Sequence, residues 1–230
     1  VGGGITWDST WESEYREVHQ KAAVLYRKQA RFKLISTGRV SQKSLLFEDQ
    51  HLERLTKASR YFAYPLDPKK LRQKIEEECQ VCDVNQDYRL RIGLSKSGEI
   101  ELSRQILAPL SPSFCKAKLC LQEADLNQSF TYFKTTHRPH LSLGEQEIIY
   151  HNVVGELLET SIGNLVLKIN GKLYTPPISL GILPGIYRQH LLERGQVEEK
   201  VLTLADLNQA EAIYGCNAVR GLYELEVNPK

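Results

Sequence analysis

At 230 residues and 26.3 kDa the chain can form one large domain or two small ones around a substantial core. Apolar residues make up 41% and charged residues 25%, and the net charge of +2 with a pI near 8.2 gives no electrostatic case for nucleic acid or an anionic membrane. No apolar run reaches the length of a membrane span, and Val1-Gly2-Gly3-Gly4 is no signal sequence, so the expected setting is soluble and cytoplasmic.

In chain order, residues 11–30 place Tyr15, Val18, Ala22 and Leu25 at helical spacing, with Asp8 or Ser9 as cap. The pieces FKLIS and SLLF within 31–48 read as short strands. Residues 49–63 predict a helix with Leu52, Leu55, Ser59 and Phe62 on one face, and 67–80 a second, entered through Asp67-Pro68. The period then changes: 88–94 and 98–107 alternate around a Lys96–Gly98 turn, a hairpin. Strands are expected at 117–122, 147–153, 164–169 and 172–175, then a helix from Pro184 to Leu192 with proline in its first turn. Strands at 197–202 and 211–216 close the chain. The layout is α+β: a small lobe over 31–110 and a larger, β-rich lobe over 111–230.

The five cysteines are expected to stay reduced, since a chain this size needs no disulfide staple. Cys79 and Cys82 form one C-x-x-C with no second pair, which reads as two cysteines near a helix end rather than a metal site. The start at Val1 points to a cut or trimmed product. The absence of methionine has no physical account.

Five stretches in order carry chemistry: HLERL (51–55), FKTTHR (133–138), GELLETSIGNL (155–165), LGILPGIYRQ (180–189) and CNAVRG (216–221). Lys134 differs from the other fifteen lysines in its aromatic approach, Phe130, Tyr132 and Phe133, a setting that favours the neutral amine. Gly185 and Ile186 stand at the start of a helix, where free N–H groups favour an anion, although Pro184-Gly185 alone could be only a turn.

These stretches resemble the class IV aminotransferase family, and most closely its 4-amino-4-deoxychorismate lyase members. The resemblance implies a fold-type IV enzyme, similar to D-amino-acid aminotransferase, that uses pyridoxal 5'-phosphate (PLP) and acts on a small molecule as a homodimer. It implies that Lys134 holds the cofactor and moves protons, and that Glu159 holds the proton on the pyridine nitrogen. It also implies that Arg54 and the amides of Ile186 and Tyr187 bind the phosphate, joined by Asn217 and Ala218 of the last loop. Asn164 shapes the turn rather than touching ligand. His137 stands where the family pattern has asparagine and could equally be a packed histidine. With Arg138 and Arg220 it is a candidate for the substrate side. Lys134 and Glu159 are only 25 positions apart, which implies a shortened helix between them. In FKLIST, Lys33 and Ser36 replace two glutamates of the fused lyases' F-E-L-I-E-T.

Residues 2–22 resemble something else, the carboxyl end of chorismate-utilising synthases, with Glu14, Glu17 and Lys21 at matching positions. That marks 1–30 as a helical remnant of a synthase and the chain as the tail of, or descendant of, a synthase–lyase fusion. The activity so implied is conversion of aminodeoxychorismate to 4-aminobenzoate and pyruvate. The rival readings are an aminotransferase for branched-chain or D-amino acids and a non-catalytic relic associated with a synthase.

Overall fold

The computed structural model describes residues 7–26, 31–122, 128–142 and 144–227. The chain divides into two compact units, Val1–Arg31 and Phe32–Lys230. Among its described residues the first holds one helix, α1 (Trp11–Tyr26). Its cap is Thr10, not Asp8 or Ser9: Thr10 Oγ1 accepts from Ser13 N at 3.3 Å, and Ser13 Oγ accepts from Thr10 N at 3.1 Å. Tyr15 and Val18 lie on the surface of this unit as described, and Trp11 packs on Tyr15 at 5.3 Å. Lys21 pairs with Glu17 one turn away.

The second unit opens with strands β1 (Leu34–Ser41) and β2 (Ser44–Leu45), helices α2 (Glu48–Phe62) and α3 (Pro68–Gln80), and the hairpin β3 (Tyr88–Leu94) and β4 (Ile100–Ile106). The strands pair antiparallel in the order β2-β1-β3-β4. Two-residue periodicity sends Leu34, Val40, Leu90, Ile92 and Leu94 to one face, where Leu52, Leu55 and Ala58 of α2 and Leu71 and Ile75 of α3 cover them. Burying each such side chain contributes on the order of 2 kcal/mol, which outweighs helix propensity in fixing both helices. α3 starts where the sequence predicts, with Asp67 accepting from the amides of Lys69 and Lys70. Cys79 and Cys82 belong to this core, and burial pushes the Cys79 thiol up to about 11.

The second sheet holds β5 (Lys116–Leu121), β6 (Ile148–His151), β7 (Leu157–Thr160), β8 (Asn164–Ile169), β9 (Lys172–Thr175), β10 (Glu198–Glu199), β11 (Ala212–Asn217) and β12 (Gly221–Val227). Its order is β10-β9-β8-β11-β12-β5-β6-β7, and β7 also pairs with β8, which closes six strands into a ring around Ile149, Leu157, Leu165 and Leu167. Helices α4 (Gln128–Tyr132), α5 (Ile186–Glu193) and α6 (Leu204–Gln209) complete the unit.

Several expectations fail here for physical reasons. Glu159 lies inside strand β7, where no strand is expected from the sequence, because all four residues of β7 are buried and no alternation betrays it. No helix separates Lys134 from Glu159 among the described residues; the chain crosses through β6 instead. Pro184 precedes α5 rather than starting it, because Gly185 is the cap residue. The strand expected at 197–202 is two residues long and gives way to α6, which Thr203 and Asp206 cap reciprocally. The chain closes on β12, which the last Asn217–Gly221 turn folds back on β11. Among the described residues no helix is long and apolar enough to cross a membrane.

Candidate active site

Lys134 is fastened to the edge of the first sheet. Its carbonyl accepts from Ile35 N at 2.9 Å, and Thr136 N donates to Lys33 O at 2.9 Å, which sets Thr135 against Leu34. The aromatic approach serves packing: Phe130 meets Phe32 at 5.1 Å, and Phe133 stacks on Tyr61 at 4.5 Å. Burial lowers the Lys134 pKa to about 7, helped by the charges of Arg138 and Arg54 and opposed by Glu159. Near neutral pH about half of this amine is therefore uncharged and able to take a proton.

Glu159 is 2% exposed, and its two oxygens accept from Arg138 Nη2 and Leu183 N, each at 3.4 Å. Burial raises its pKa, while Arg138, the Leu183 amide and Lys134 pull the other way. Directly across the β7–β8 pair stands Asn164, whose Nδ2 donates to Leu183 O at 2.8 Å. A Cβ on Gly185 would fall 1.9 Å from Asn164 Oδ1, so glycine is required at that position. Asn164 thus shapes the Leu183–Gly185 turn from below, rather than the turn of its own stretch that the sequence pointed to.

That turn delivers the N-terminus of α5. Gly185 caps it without a side chain, and the first intrahelical bond runs from Gln189 N to Gly185 O at 2.9 Å, so the amides of Ile186 and Tyr187 make no bond within the helix. Arg54 comes from α2 to the same place and donates to Pro184 O at 2.7 Å. Burial and the Arg138 charge lower its pKa to about 10. The Asn217–Gly221 loop arrives from β11: Asn217 Oδ1 accepts from the amides of Val219 and Arg220, both at 2.9 Å, and Ala218 is buried beside it. A Cβ on Gly221 would meet the Tyr187 hydroxyl at 3.3 Å, so this loop and the start of α5 adjoin.

The three substrate-side candidates separate. Arg138 lies against Glu159. His137 packs edge-to-face on Phe130 at 4.9 Å, and its backbone is held by the Thr135 hydroxyl. Arg220 donates to Ala108 O at 2.5 Å, and the charges it feels are Arg89 and Arg39.

Two further features had no assigned role in the sequence. Ser36 Oγ and His51 Nδ1 lie 2.7 Å apart with both residues fully buried, and burial together with Arg54 and Lys134 lowers the His51 pKa to about 3. His51 stands in HLERL, yet nothing in the motif names Ser36 as its partner. Glu147 is also fully buried and accepts from the Ser161 hydroxyl, from Ile162 N at 3.2 Å and from the Tyr223 hydroxyl at 3.0 Å. It pins the turn that links Glu159 to Asn164, and no pattern in the sequence points to it.

The amino-transferase class IV family model matches residues 33–225. The chain belongs to the class IV aminotransferase family. Its mixed architecture is that of fold-type IV. Among solved structures, a candidate amino-acid aminotransferase from Mesorhizobium loti superimposes with a TM-score of 0.72 at 28% identity, covering 86% of this chain and all (100%) of that one. The PLP-bound form of a hypothetical aminotransferase from Mycobacterium tuberculosis gives 0.71 at 18% identity, covering 90% and 83%. In sequence, the aminodeoxychorismate lyase of Saccharomyces cerevisiae is 27% identical in an alignment of 198 residues that covers 63% of this chain and 53% of that one. This class IV chain thus spans about half the length of that curated relative.

The residues present fit the phosphorylated cofactor of the class IV family. Arg138 and Lys134 both act on one buried carboxylate, Glu159, while the charge of Arg138 lowers the pKa of Arg54 and both arginines lower that of Lys134. The Arg138 Nε is buried with no hydrogen-bond partner among the described residues. Such an excess of buried positive charge beside an open helix N-terminus suits a phosphate dianion.

Proposed function

We propose that this chain is a PLP-dependent lyase that converts aminodeoxychorismate to 4-aminobenzoate and pyruvate. The similarity to the yeast lyase carries the choice of reaction, and the lowered pKa of Lys134 beside Glu159 supports the chemistry. Arg54, the amides of Ile186 and Tyr187, and the Asn217–Ala218 loop would hold the phosphate of PLP. Once bound, PLP supplies an electron sink for the carbon that bears the substrate amine. Lys134 would hold the cofactor, and its Nζ would take the proton from that carbon. Glu159 would hold the proton on the pyridine nitrogen, and Arg138 opposes the rise in the Glu159 pKa that burial causes. The Leu183 amide orients the same carboxylate from the other side.

Two associated readings belong to the proposal. Residues 1–30 are the remnant of a synthase tail, which their separation as a distinct compact unit supports. The remaining chain, with its small lobe to residue 110 and large lobe beyond, works as a homodimer. Light scattering of the PLP-loaded protein should give twice the protomer mass; a monomer would contradict that.

The decisive experiment supplies aminodeoxychorismate to the PLP-loaded protein. Equal amounts of pyruvate and 4-aminobenzoate are expected. The likeness to the Mesorhizobium loti structure favours a second reading, amino-group transfer. Transfer from leucine or D-alanine to 2-oxoglutarate, with no pyruvate from aminodeoxychorismate, would establish it instead.

A further inference from the structure

The outward face of the first sheet carries charge that cofactor binding does not use. The register of β1, β3 and β4 sets Arg39 opposite Arg89 with Gln105 beyond, and Thr37 opposite Arg91 with Ser103 beyond. All six side chains therefore leave the sheet on the side away from Leu90 and Ile92. Like charges directly opposite one another destabilise a strand pair, so Arg39 against Arg89 has a cost that the protomer relieves only on the Arg39 side. Arg39 has one acid, Asp87, and its Nε is buried without a partner among the described residues. Arg89 donates to the neutral Gln105 Oε1 at 2.8 Å. Arg220 reaches over from the Asn217–Gly221 loop to a neutral carbonyl at Ala108. No ion pair among the described residues includes Arg89, Arg91 or Arg220.

The position of this face matters as much as its charge. At one end β1 binds the Lys134 peptide through Ile35, and the charge of Arg91 is among those acting on the Lys134 amine. At the other end Arg220 shares its loop with Asn217 and Ala218, and it feels the charges of Arg89 and Arg39. The arginines thus extend from the reactive amine to the phosphate loop.

We propose that Arg39, Arg89, Arg91 and Arg220 form the wall that reads the carboxylates of a small dicarboxylate substrate whose amine is delivered to Lys134. The inference rests on Lys134 being the reactive lysine. Guanidinium groups grip carboxylates through paired N–H donors. Three arginines without an acid are more than one carboxylate can satisfy, so the wall favours a dianion over an amino acid with an apolar side chain. On this reading it is the wall, rather than the cofactor cradle, that separates a chorismate-derived substrate from leucine.

The test uses the full PLP-loaded chain and the exposed pair as Arg89→Gln, Arg91→Gln and the double variant. Isophthalate, an aryl dicarboxylate, is titrated calorimetrically beside benzoate, and KM and kcat are measured with aminodeoxychorismate. Isophthalate affinity should fall by roughly tenfold per arginine, with benzoate much less affected. KM should rise in step while the visible absorbance of bound PLP holds. Isophthalate binding within twofold of wild type in the double variant, or no isophthalate binding by wild type at millimolar concentration, would overturn the wall. If KM stays constant while pyruvate release continues, the wall fails and the lyase reading stands. If isophthalate discrimination holds but no pyruvate appears, the wall stands and the lyase reading fails.

Discussion

The two sheets contribute to the site in opposite ways. The second sheet gives its part through backbone geometry: Gly185, Asn164 and the β7–β8 pair fix a helix N-terminus within close packing. The first sheet gives long side chains on an open strand face, with Arg89 and Arg91 exposed. A cradle for an unchanging phosphate tolerates no slack, so glycine and buried amides suit it. A wall that admits and releases substrate needs reach and hydration, which arginine supplies. The difference teaches that changes in the second sheet should act on cofactor and rate, and changes in the first on substrate affinity.

Lys134 is where the two sheets meet, and its loss should break both roles at once. In Lys134→Ala, borohydride should no longer fix PLP to the chain, and turnover should fall by roughly 10²–10⁴ or more. Peptide mapping of reduced wild type should place the label on Lys134; a label elsewhere would remove the basis of the whole site.

On the second sheet, Glu159→Gln should retain PLP and lower kcat by about 10²–10³ with KM little changed, because an amide cannot stabilise a protonated ring nitrogen. Near-normal kcat would mean that another group serves that nitrogen. Gly185→Ala should act on cofactor affinity instead. The added Cβ meets Asn164 Oδ1 at 1.9 Å, and relieving that overlap costs about 1–3 kcal/mol. A titration with PLP should therefore show binding weakened by roughly one or two decades. Unchanged affinity would show that the turn can shift without disturbing the α5 amides.

The cofactor-free protein offers a subtler probe. A lysine amine lowered from 10.5 to about 7 destabilises the fold fully below pH 7, and the penalty fades as pH climbs toward 10.5. Lys134→Met should melt above wild type at pH 6.5, with the gap narrowing steadily by pH 10. A constant gap would mean the Lys134 amine keeps an ordinary pKa. The smallest effect belongs to the first sheet: raising salt from 0.05 to 0.5 M should raise KM a few-fold through screening of the exposed arginines, leaving PLP bound.

The elements of the first sheet were legible because each obeys a local rule. α3 announces itself through Asp67-Pro68, and the hairpin through its alternation about Gly98. In the second sheet the strands expected at 117–122, 147–153, 164–169, 172–175 and 211–216 are present as β5, β6, β8, β9 and β11, but β7 and β12 were not legible. Leu157–Thr160 is buried on both sides and has no period to read. β12 was missed because Asn217–Gly221 looks like the end of a motif, whereas it is a turn into another strand. Among the site residues, Lys134, Glu159, Arg54 and the Gly185 turn stood out through their motifs. Ser36 beside His51, and Glu147 beneath the 160–163 turn, did not, since a buried polar residue is recognisable only by its partner.

By itself the sequence determined the start of α3 at Asp67-Pro68 and the apolar faces of α2 and α3, set by interactions within a few residues. The need for glycine at 185 comes instead from Asn164 on β8. Tertiary structure decided the charge state of Lys134. Burial, together with Arg138 and Arg54, moves that amine to about 7, and Arg54 lies 80 positions away in the chain. It also decided the meaning of Arg39, Arg89 and Arg91. Each reads alone as a solvated strand arginine, and only the β1–β3 register places them side by side. Electrostatic repulsion depends on distance in space, and that distance is set by strand pairing and closure of the ring.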